Sequence, residues 1–142
     1  MNGEFSVAVH ALVFLYRKGG PATSKELAEN ICTNPARVRK VMASLVHAGL
    51  AASHEGRGSG YAVSPSAADT TLLQVLDAVA ARAVDSAWRT GDMDRDCLVS
   101  SGMGSVMDSL CEELNGLCRE RLSCVTIGFI SNRLLPEKGG AK

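Results

Sequence analysis

The spacing of apolar residues predicts three short helices in the first third of the chain. Residues 4–18 are apolar on nearly every side, which is typical of a helix that is buried on most of its surface. In so small a chain, this indicates that a second subunit covers part of the first helix. Residues 25–30 follow Thr23 and Ser24, either of which can cap a helix. Residues 35–48 begin at an Asn-Pro pair, which is a favourable helix start.

The third predicted helix has one apolar face, formed by residues at helical spacing: Val38, Val41, Met42 and Leu45. We expect this face to be buried, which leaves the opposite face in solvent. Gly49 then ends the helix. Residues 50–54 and 60–64 can pair as a β-hairpin, and the tip between them holds three glycines and Arg57.

The second half of the chain predicts a fourth helix that starts at residues 69–71 and runs through Arg82. Residues 84–97 show no periodicity and are interpreted as a loop. A long helix is predicted over residues 99–123, followed by a short one over 126–135. The long helix carries an apolar stripe, whose members include Met103, Val106, Leu110, Leu114 and Leu117.

The composition supports a mainly helical protein without a membrane span. The 142 residues are 46% hydrophobic but only 4% aromatic, which favours helices over a β-sandwich. The longest apolar run is too short to span a bilayer, and no basic residue precedes it as in a secretory signal. We therefore expect a cytoplasmic protein. Its cysteines, an odd number of 5, are expected to stay reduced in that compartment.

The net charge is zero but unevenly distributed. Residues 1–63 carry seven basic and four acidic side chains, whereas residues 64–142 carry eight basic and eleven acidic ones. A basic front half indicates that this end of the protein binds a polyanion.

Three helices followed by a glycine-rich hairpin form a winged helix-turn-helix arrangement. The exposed face of the third helix can enter the major groove of DNA, and an arginine at the wing tip can enter a minor groove. Helix N-termini can bind phosphates through backbone N–H groups. The candidate DNA-binding residues are Thr23, Ser24, Asn34, Ala36, Arg37, Arg39, Lys40, Arg57, Ser59 and Tyr61.

Several segments resemble the Rrf2 family of bacterial winged-helix transcriptional regulators. They are residues 6–12, Leu27-Ala28, residues 45–50 and residues 56–61. The most specific part of the resemblance is Ala48-Gly49-Leu50 followed by Gly-Arg-Gly-Ser-Gly-Tyr at residues 56–61. The resemblance covers most of the chain. It implies a homodimer joined mainly through the long helix, with two recognition helices that read a near-palindromic DNA site. In such a dimer the apolar stripe of the long helix forms the interface, with these residues: Met103, Val106, Leu110, Leu114 and Leu117.

The resemblance also directs attention to the loop before the long helix. Iron–sulfur members of the family carry three closely spaced cysteines there, whereas this loop holds only Cys97. We expect no cofactor. The sequence leaves open an iron–sulfur cluster whose ligands come from both subunits, such as Cys97 and His10, and it does not identify a metal. Asp92, Asp94 and Asp96 are expected to raise the pKa of the Cys97 thiol and to make it less reactive.

These observations lead to one functional prediction and one alternative. The prediction is a homodimeric, sequence-specific DNA-binding regulator, and more specifically a repressor under redox or small-molecule control. In this prediction residues 1–82 form the DNA-binding domain, residues 83–98 form a sensor loop and residues 99–135 form the dimerisation region. The candidate sensor residues are Cys97 in the loop and His10 in the first helix. The alternative is a winged-helix adaptor that binds a protein partner instead of DNA. No nucleophile–base pair or phosphate loop indicates an enzyme.

Overall fold

The fold is mainly α-helical with one small β-hairpin, as the sequence predicts. The computed structural model describes residues 2–55, 60–85 and 88–135. In chain order the elements are α1 (Gly3–Lys18), α2 (Ser24–Ile31), α3 (Pro35–His47), β1 (Ala52–His54), β2 (Gly60–Ala62), a 3-10 turn (Pro65–Asp69), α4 (Leu72–Ala78), α5 (Leu98–Leu122) and α6 (Ile127–Arg133).

Helix α1 lies at the centre of the hydrophobic core. It packs against α2, α3, α4 and α6, which explains why so much of its surface is apolar. Leu12 and Leu15 of α1 are fully buried, as are Leu27 of α2 and Leu76 of α4. The core is built from aliphatic side chains, as expected from the low aromatic content.

Side-chain caps fix where most of the helices begin. The side chains of five residues each accept a hydrogen bond from a backbone N–H three positions further on: Asn2, Thr23, Asn34, Thr71 and Thr126. Each cap pairs one of the N–H groups that a helix start leaves without a partner. Thr23, rather than Ser24, is the cap of α2, and Ser24 is its first helical residue.

The prediction that α4 continues to Arg82 is wrong. The helix ends at Ala78, and Ala80 adopts the left-handed conformation with φ 53°. The N–H of Ala80 donates a hydrogen bond to the carbonyl oxygen of Asp77, and the N–H of Ala81 donates one to that of Leu76. These two bonds end the helix. This closure normally uses glycine, so an alanine at that position gives the sequence no stop signal.

The β-hairpin forms as predicted but is shorter than residues 50–54 and 60–64. Its pairs are Ala52 with Ala62, Ser53 with Tyr61 and His54 with Gly60. Tyr61 also exchanges two backbone hydrogen bonds with Ala22, of 2.8 and 2.9 Å. The hairpin is therefore fastened to the segment that leads into α2.

Helix α5 packs mainly on α4 and on the segment that joins the two helices. The buried side-chain amide of Asn115 accepts a hydrogen bond from the N–H of Val84, at 2.8 Å, and donates one to the carbonyl oxygen of Val84, at 2.7 Å. Ion pairs along the same side of α5 join Arg89 to Asp108, Arg82 to Glu112 and Arg119 to Asp77. The predicted apolar stripe lies elsewhere on the helix and is exposed.

None of the helices among the described residues combines the length and the apolar character that crossing a membrane requires.

Gly60 provides a test of how the hairpin is anchored. Its φ of 144° is unfavourable for other residues, and a Cβ there would overlap the Ala22 carbonyl oxygen. We expect Gly60→Ala to lower the free energy of unfolding by about 1–3 kcal/mol in a denaturant titration. Gly20→Ala is the matched control, because no atom lies within 4 Å of its added Cβ. Equal stability of the two variants would show that the Ala22–Tyr61 contact does not hold the hairpin.

Candidate nucleic-acid interface

A tight turn sets the angle between α2 and α3. Cys32 adopts a left-handed conformation with φ 66°, and its N–H and that of Thr33 both bond the Ala28 carbonyl. Asn34 then caps α3 by accepting a 2.8 Å hydrogen bond from the N–H of Arg37. The turn confirms that α2 and α3 are separated by only three residues, as a helix-turn-helix requires.

The inner face of α3 is buried as predicted. Val38, Val41, Met42 and Leu45 are each no more than 2% exposed. Burial of this stripe leaves the opposite side of the helix in solvent, where the following residues form an outward ridge: Ala36, Lys40, Ala43 and His47. The candidate DNA-binding set contains Ala36 and Lys40. Helical spacing from Lys40 predicts Ala43 and His47 on the same face, and both are exposed there.

The outward ridge combines small side chains with cationic or polar ones. The alanines on either side of Lys40 allow the backbone of α3 to approach a flat or grooved partner closely. Arg39 is exposed on one flank of the ridge. Within residues 2–55, 60–85 and 88–135, neither Arg39 nor Lys40 takes part in a salt bridge. Both cations are therefore available to an external anion.

Arg37 lies on the other flank and is already paired inside the chain. Its Nε donates to Oε1 of Glu4 in the first turn of α1, at 3.2 Å. The guanidinium also covers Gly3, where a Cβ would overlap it. The Arg37 side chain keeps 40% of its surface exposed, so it is positioned by Glu4 rather than buried by it.

A cleft of about 310 Å³ lies between the start of α2 and the hairpin. It brings together three of the sequence-predicted residues, Thr23, Ser24 and Tyr61. His54 and Glu55 line the hairpin side. The cleft joins hydroxyl groups to a helix N-terminus, a combination suited to a phosphate oxygen.

Two of the predicted residues, Arg57 and Ser59, lie outside the described residues. The other eight fall into two neighbouring groups. One group lies on α3 and its cap, and the other lies at the cleft beside the root of the hairpin.

The predicted effect of the loop aspartates on Cys97 is wrong. Cys97 is the exposed residue that precedes α5, and the pKa of its thiol is lowered. The largest cause is the backbone N–H of Ser100, followed by that of Val99, because these groups stabilise the thiolate. The Cys97 side chain forms no hydrogen bond that caps α5. Asp92, Asp94 and Asp96 are exposed, so water screens their charges.

His10, the second candidate sensor, is exposed on α1 rather than part of the core. Its Nε2 is 2.7 Å from Oδ1 of Asn30 at the end of α2. The described residues contain no group of three or more His, Cys, Asp or Glu side chains arranged to hold a metal ion.

Comparison with known proteins supports the resemblance found in the sequence. The family model for Rrf2, an iron-dependent transcriptional regulator, matches residues 1–133. YwgB of Bacillus subtilis, assigned as an HTH-type transcriptional regulator, is 34% identical over 84 residues. That alignment spans 58% of this chain and 54% of YwgB, or about half the length of the relative.

Solved structures share the fold over nearly the whole chain. A transcriptional regulator from Lactobacillus plantarum superposes with a TM-score of 0.76 at 22% identity, over 94% of this chain and 91% of the other. CymR, the global cysteine regulator of B. subtilis, gives a TM-score of 0.68 at 14% identity, over 95% and 98%. IscR of T. potens gives 0.67 at 17% identity, over 96% and 92%.

These identities are low enough that the structural likeness establishes the fold alone. The family match covers most of the chain and establishes membership. It also agrees with the expectation that the protein is no enzyme. The chain belongs to the Rrf2 family of transcriptional regulators.

Proposed function

We propose that the protein is a homodimeric, sequence-specific DNA-binding regulator that acts in the cytoplasm as a repressor. The observation that carries this proposal is the outward ridge of α3. Its inner side is fixed in the core, its outer side is small and cationic, and Arg39 and Lys40 have no salt-bridge partner among the described residues. An α-helix of this kind fits the major groove, where Arg and Lys donate to guanine O6 and N7.

The cleft beside the hairpin supports the same orientation on DNA. Thr23 and Ser24 lie at the N-terminus of α2, and the backbone of Tyr61 ties the hairpin to this point. A phosphate bound there would fix the register of α3 in the groove without reading sequence. The excess of basic residues in the first 63 positions adds long-range attraction to the duplex.

The exposed stripe of α5 supports the homodimer. Val106, Leu110 and Leu117 expose 62%, 43% and 58% of their surface, and Met103 and Leu114 expose 37% and 39%. A continuous apolar stripe along one helix is typical of an interface between subunits. A two-fold dimer would present two copies of α3 to half-sites about 34 Å apart, which matches a near-palindromic operator.

The first prediction concerns Arg39 and Lys40, the two cations of α3 that take part in no salt bridge within the part of the chain that the structure describes. We expect Arg39→Ala and Lys40→Ala each to weaken binding to the preferred duplex by about 1–3 kcal/mol, because each removes a base or phosphate contact. The measurement is a gel shift at fixed salt, with a duplex recovered by selection from a random pool. Arg121→Ala on α5 is the matched control, since it removes one exposed positive charge outside the proposed interface.

Loss of affinity in the α3 variants alone supports the interface. Equal affinity of all variants for the duplex would favour an adaptor. An adaptor would also be favoured if no duplex retained the wild-type protein and it instead bound a protein partner without salt dependence.

The second prediction separates the two roles open to Arg37. Glu4→Gln removes the ion pair but leaves the guanidinium in place. If Arg37 contacts DNA, Arg37→Ala weakens binding about fivefold or more whereas Glu4→Gln does not. If Arg37 serves only to fasten α3 to α1, both variants lower stability similarly and neither changes affinity. We expect the first result, and Arg57→Ala is expected to weaken binding as well.

We also propose that regulation acts through the Cys97 loop by thiol chemistry. The third prediction is that Cys97 is alkylated at a lower pH than an unstructured cysteine peptide, because backbone N–H groups lower its pKa and raise the thiolate fraction at neutral pH. Iodoacetamide labelling followed by peptide mass spectrometry measures this profile. A half-maximal rate at or above the pH found for the free peptide would contradict it, and normal regulation by Cys97→Ser would remove the thiol proposal.

The fourth prediction is that DNA binding does not need iron. The cysteines of the described residues are dispersed over the end of α2, the start of α5, its middle and its end. We expect anaerobically purified protein to be colourless and its affinity for the duplex to be unchanged by a chelator. A visible absorption band that is lost on exposure to air, together with lost binding, would overturn this.

A further inference from the structure

The outward ridge of α3 carries two methyl groups, one on each side of an ammonium group. Ala36 lies four residues before Lys40 and Ala43 lies three residues after it, so the three side chains share one face of the helix. All three residues are exposed. An alanine side chain is a single methyl group, which neither donates nor accepts a hydrogen bond. It can therefore contribute to recognition only through apolar contact.

The polar side chains around Ala36 are engaged within the chain. Oδ1 of Asn34 accepts a hydrogen bond from the N–H of Arg37, at 2.8 Å, which caps the helix. Nε of Arg37 donates to Glu4 at 3.2 Å, which holds the guanidinium on the flank of α3 that faces α1. The methyl group of Ala36 stays exposed at the N-terminal end of the ridge. In a helix-turn-helix protein, this end of the recognition helix contacts the base edges.

Thymine is the base that an exposed methyl group fits in the major groove. The C5-methyl of thymine lies there, and alanine is among the side chains that pack against it. An alanine against the amino group of cytosine or adenine would instead remove that donor from water without giving it a partner, which is costly. Lys40 has a different preference, because its ammonium group donates to O6 and N7 of guanine.

The spacing along α3 limits the distance between the contacted bases. At ~1.5 Å per residue, Lys40 lies about 6 Å from Ala36 and about 4.5 Å from Ala43 along the helix axis. Successive base pairs of the duplex are separated by about 3.4 Å. Each methyl group of the ridge therefore lies within about two base pairs of the guanine that Lys40 contacts.

We propose that Ala36 and Ala43 are specificity-determining residues that each pack against the methyl group of a thymine. Each half-site then contains a guanine contacted by Lys40, with one such thymine within two base pairs on either side. This inference rests on the proposed function, because it requires α3 to lie in the major groove. Half-sites made only of G·C pairs are disfavoured, because both alanines would face polar groups.

The test replaces thymine by uracil in the selected duplex. Uracil pairs with adenine as thymine does and lacks only the C5-methyl group. The guanine is located first, as the position where the wild-type protein prefers G·C over A·T and Lys40→Ala does not. Uracil should then weaken wild-type binding about fourfold at one thymine on each side, as expected for one buried methyl group. The measurement is an anisotropy titration of the full-length protein at fixed salt.

Glycine variants assign each thymine to its alanine. Ala36→Gly should abolish the effect of uracil at one thymine, and Ala43→Gly should abolish it at the other. Each variant is compared with itself on the two duplexes, so a loss of helix stability affects both measurements equally. Ala80→Gly is the matched control, because it removes a methyl group from an exposed alanine outside α3 and should retain both effects.

Three results would overturn the proposal. They are a half-site without thymine within two base pairs of that guanine, affinities that change less than about twofold with uracil at every such thymine, and uracil effects that persist in both glycine variants. In the last case the thymine methyl would act through the shape of the duplex. If the selected duplex still binds and Lys40→Ala weakens that binding, the proposed function stands and only this inference falls. Recovery of no common sequence would instead contradict the proposed function itself.

Discussion

Burial of the inner stripe of α3 is the constraint on which the rest of the structure depends. Val38, Val41, Met42 and Leu45 are almost completely removed from water against the central helix α1, which fixes the rotation of α3 about its own axis. Each such side chain contributes about 1.5–3 kcal/mol, so a different rotation is strongly disfavoured. The orientation of Lys40 and of the alanines beside it follows from that burial and not from any contact of their own. The tight turn at Cys32 and the Ala22–Tyr61 pairing then hold α2 and the hairpin at fixed positions beside the ridge.

Periodicity and capping were sufficient to predict most of the fold. The stripe of α3, the caps of α2 and α3 and the long α5 all follow from local rules that depend on residue type and spacing. The end of α4 could not be predicted, because its closing residue is Ala80, an alanine in a conformation that usually requires glycine. The pairing of Arg37 with Glu4 joins residues far apart in sequence, and no local pattern reveals it. The thiol of Cys97 responds to the backbone at the start of α5, whereas sequence shows only its acidic neighbours.

The two sides of α5 have different roles in the second half of the chain. One side is polar and fastens the helix to its own domain through Asn115 and through ion pairs that reach Asp77, Arg82 and Arg89. The stripe on the other side is apolar and exposed. If Cys97 regulates DNA binding as proposed, the polar side couples the 83–98 segment to the DNA-binding domain, and the apolar side couples it to the second subunit. A chemical change at Cys97 would act on both, because the residue lies where the segment becomes the helix.

Methylation protection of a selected duplex tests most directly whether α3 reads DNA. Duplexes are recovered from a random pool with the purified protein, and guanine N7 atoms, which lie in the major groove, are then probed in the complex. If α3 of each subunit enters the groove, two patches of protected guanines should appear about one turn, ~10 base pairs, apart, and Lys40→Ala should weaken protection in both. Recovery of no common sequence, or a complex in which every guanine N7 stays reactive, would contradict a major-groove role for α3.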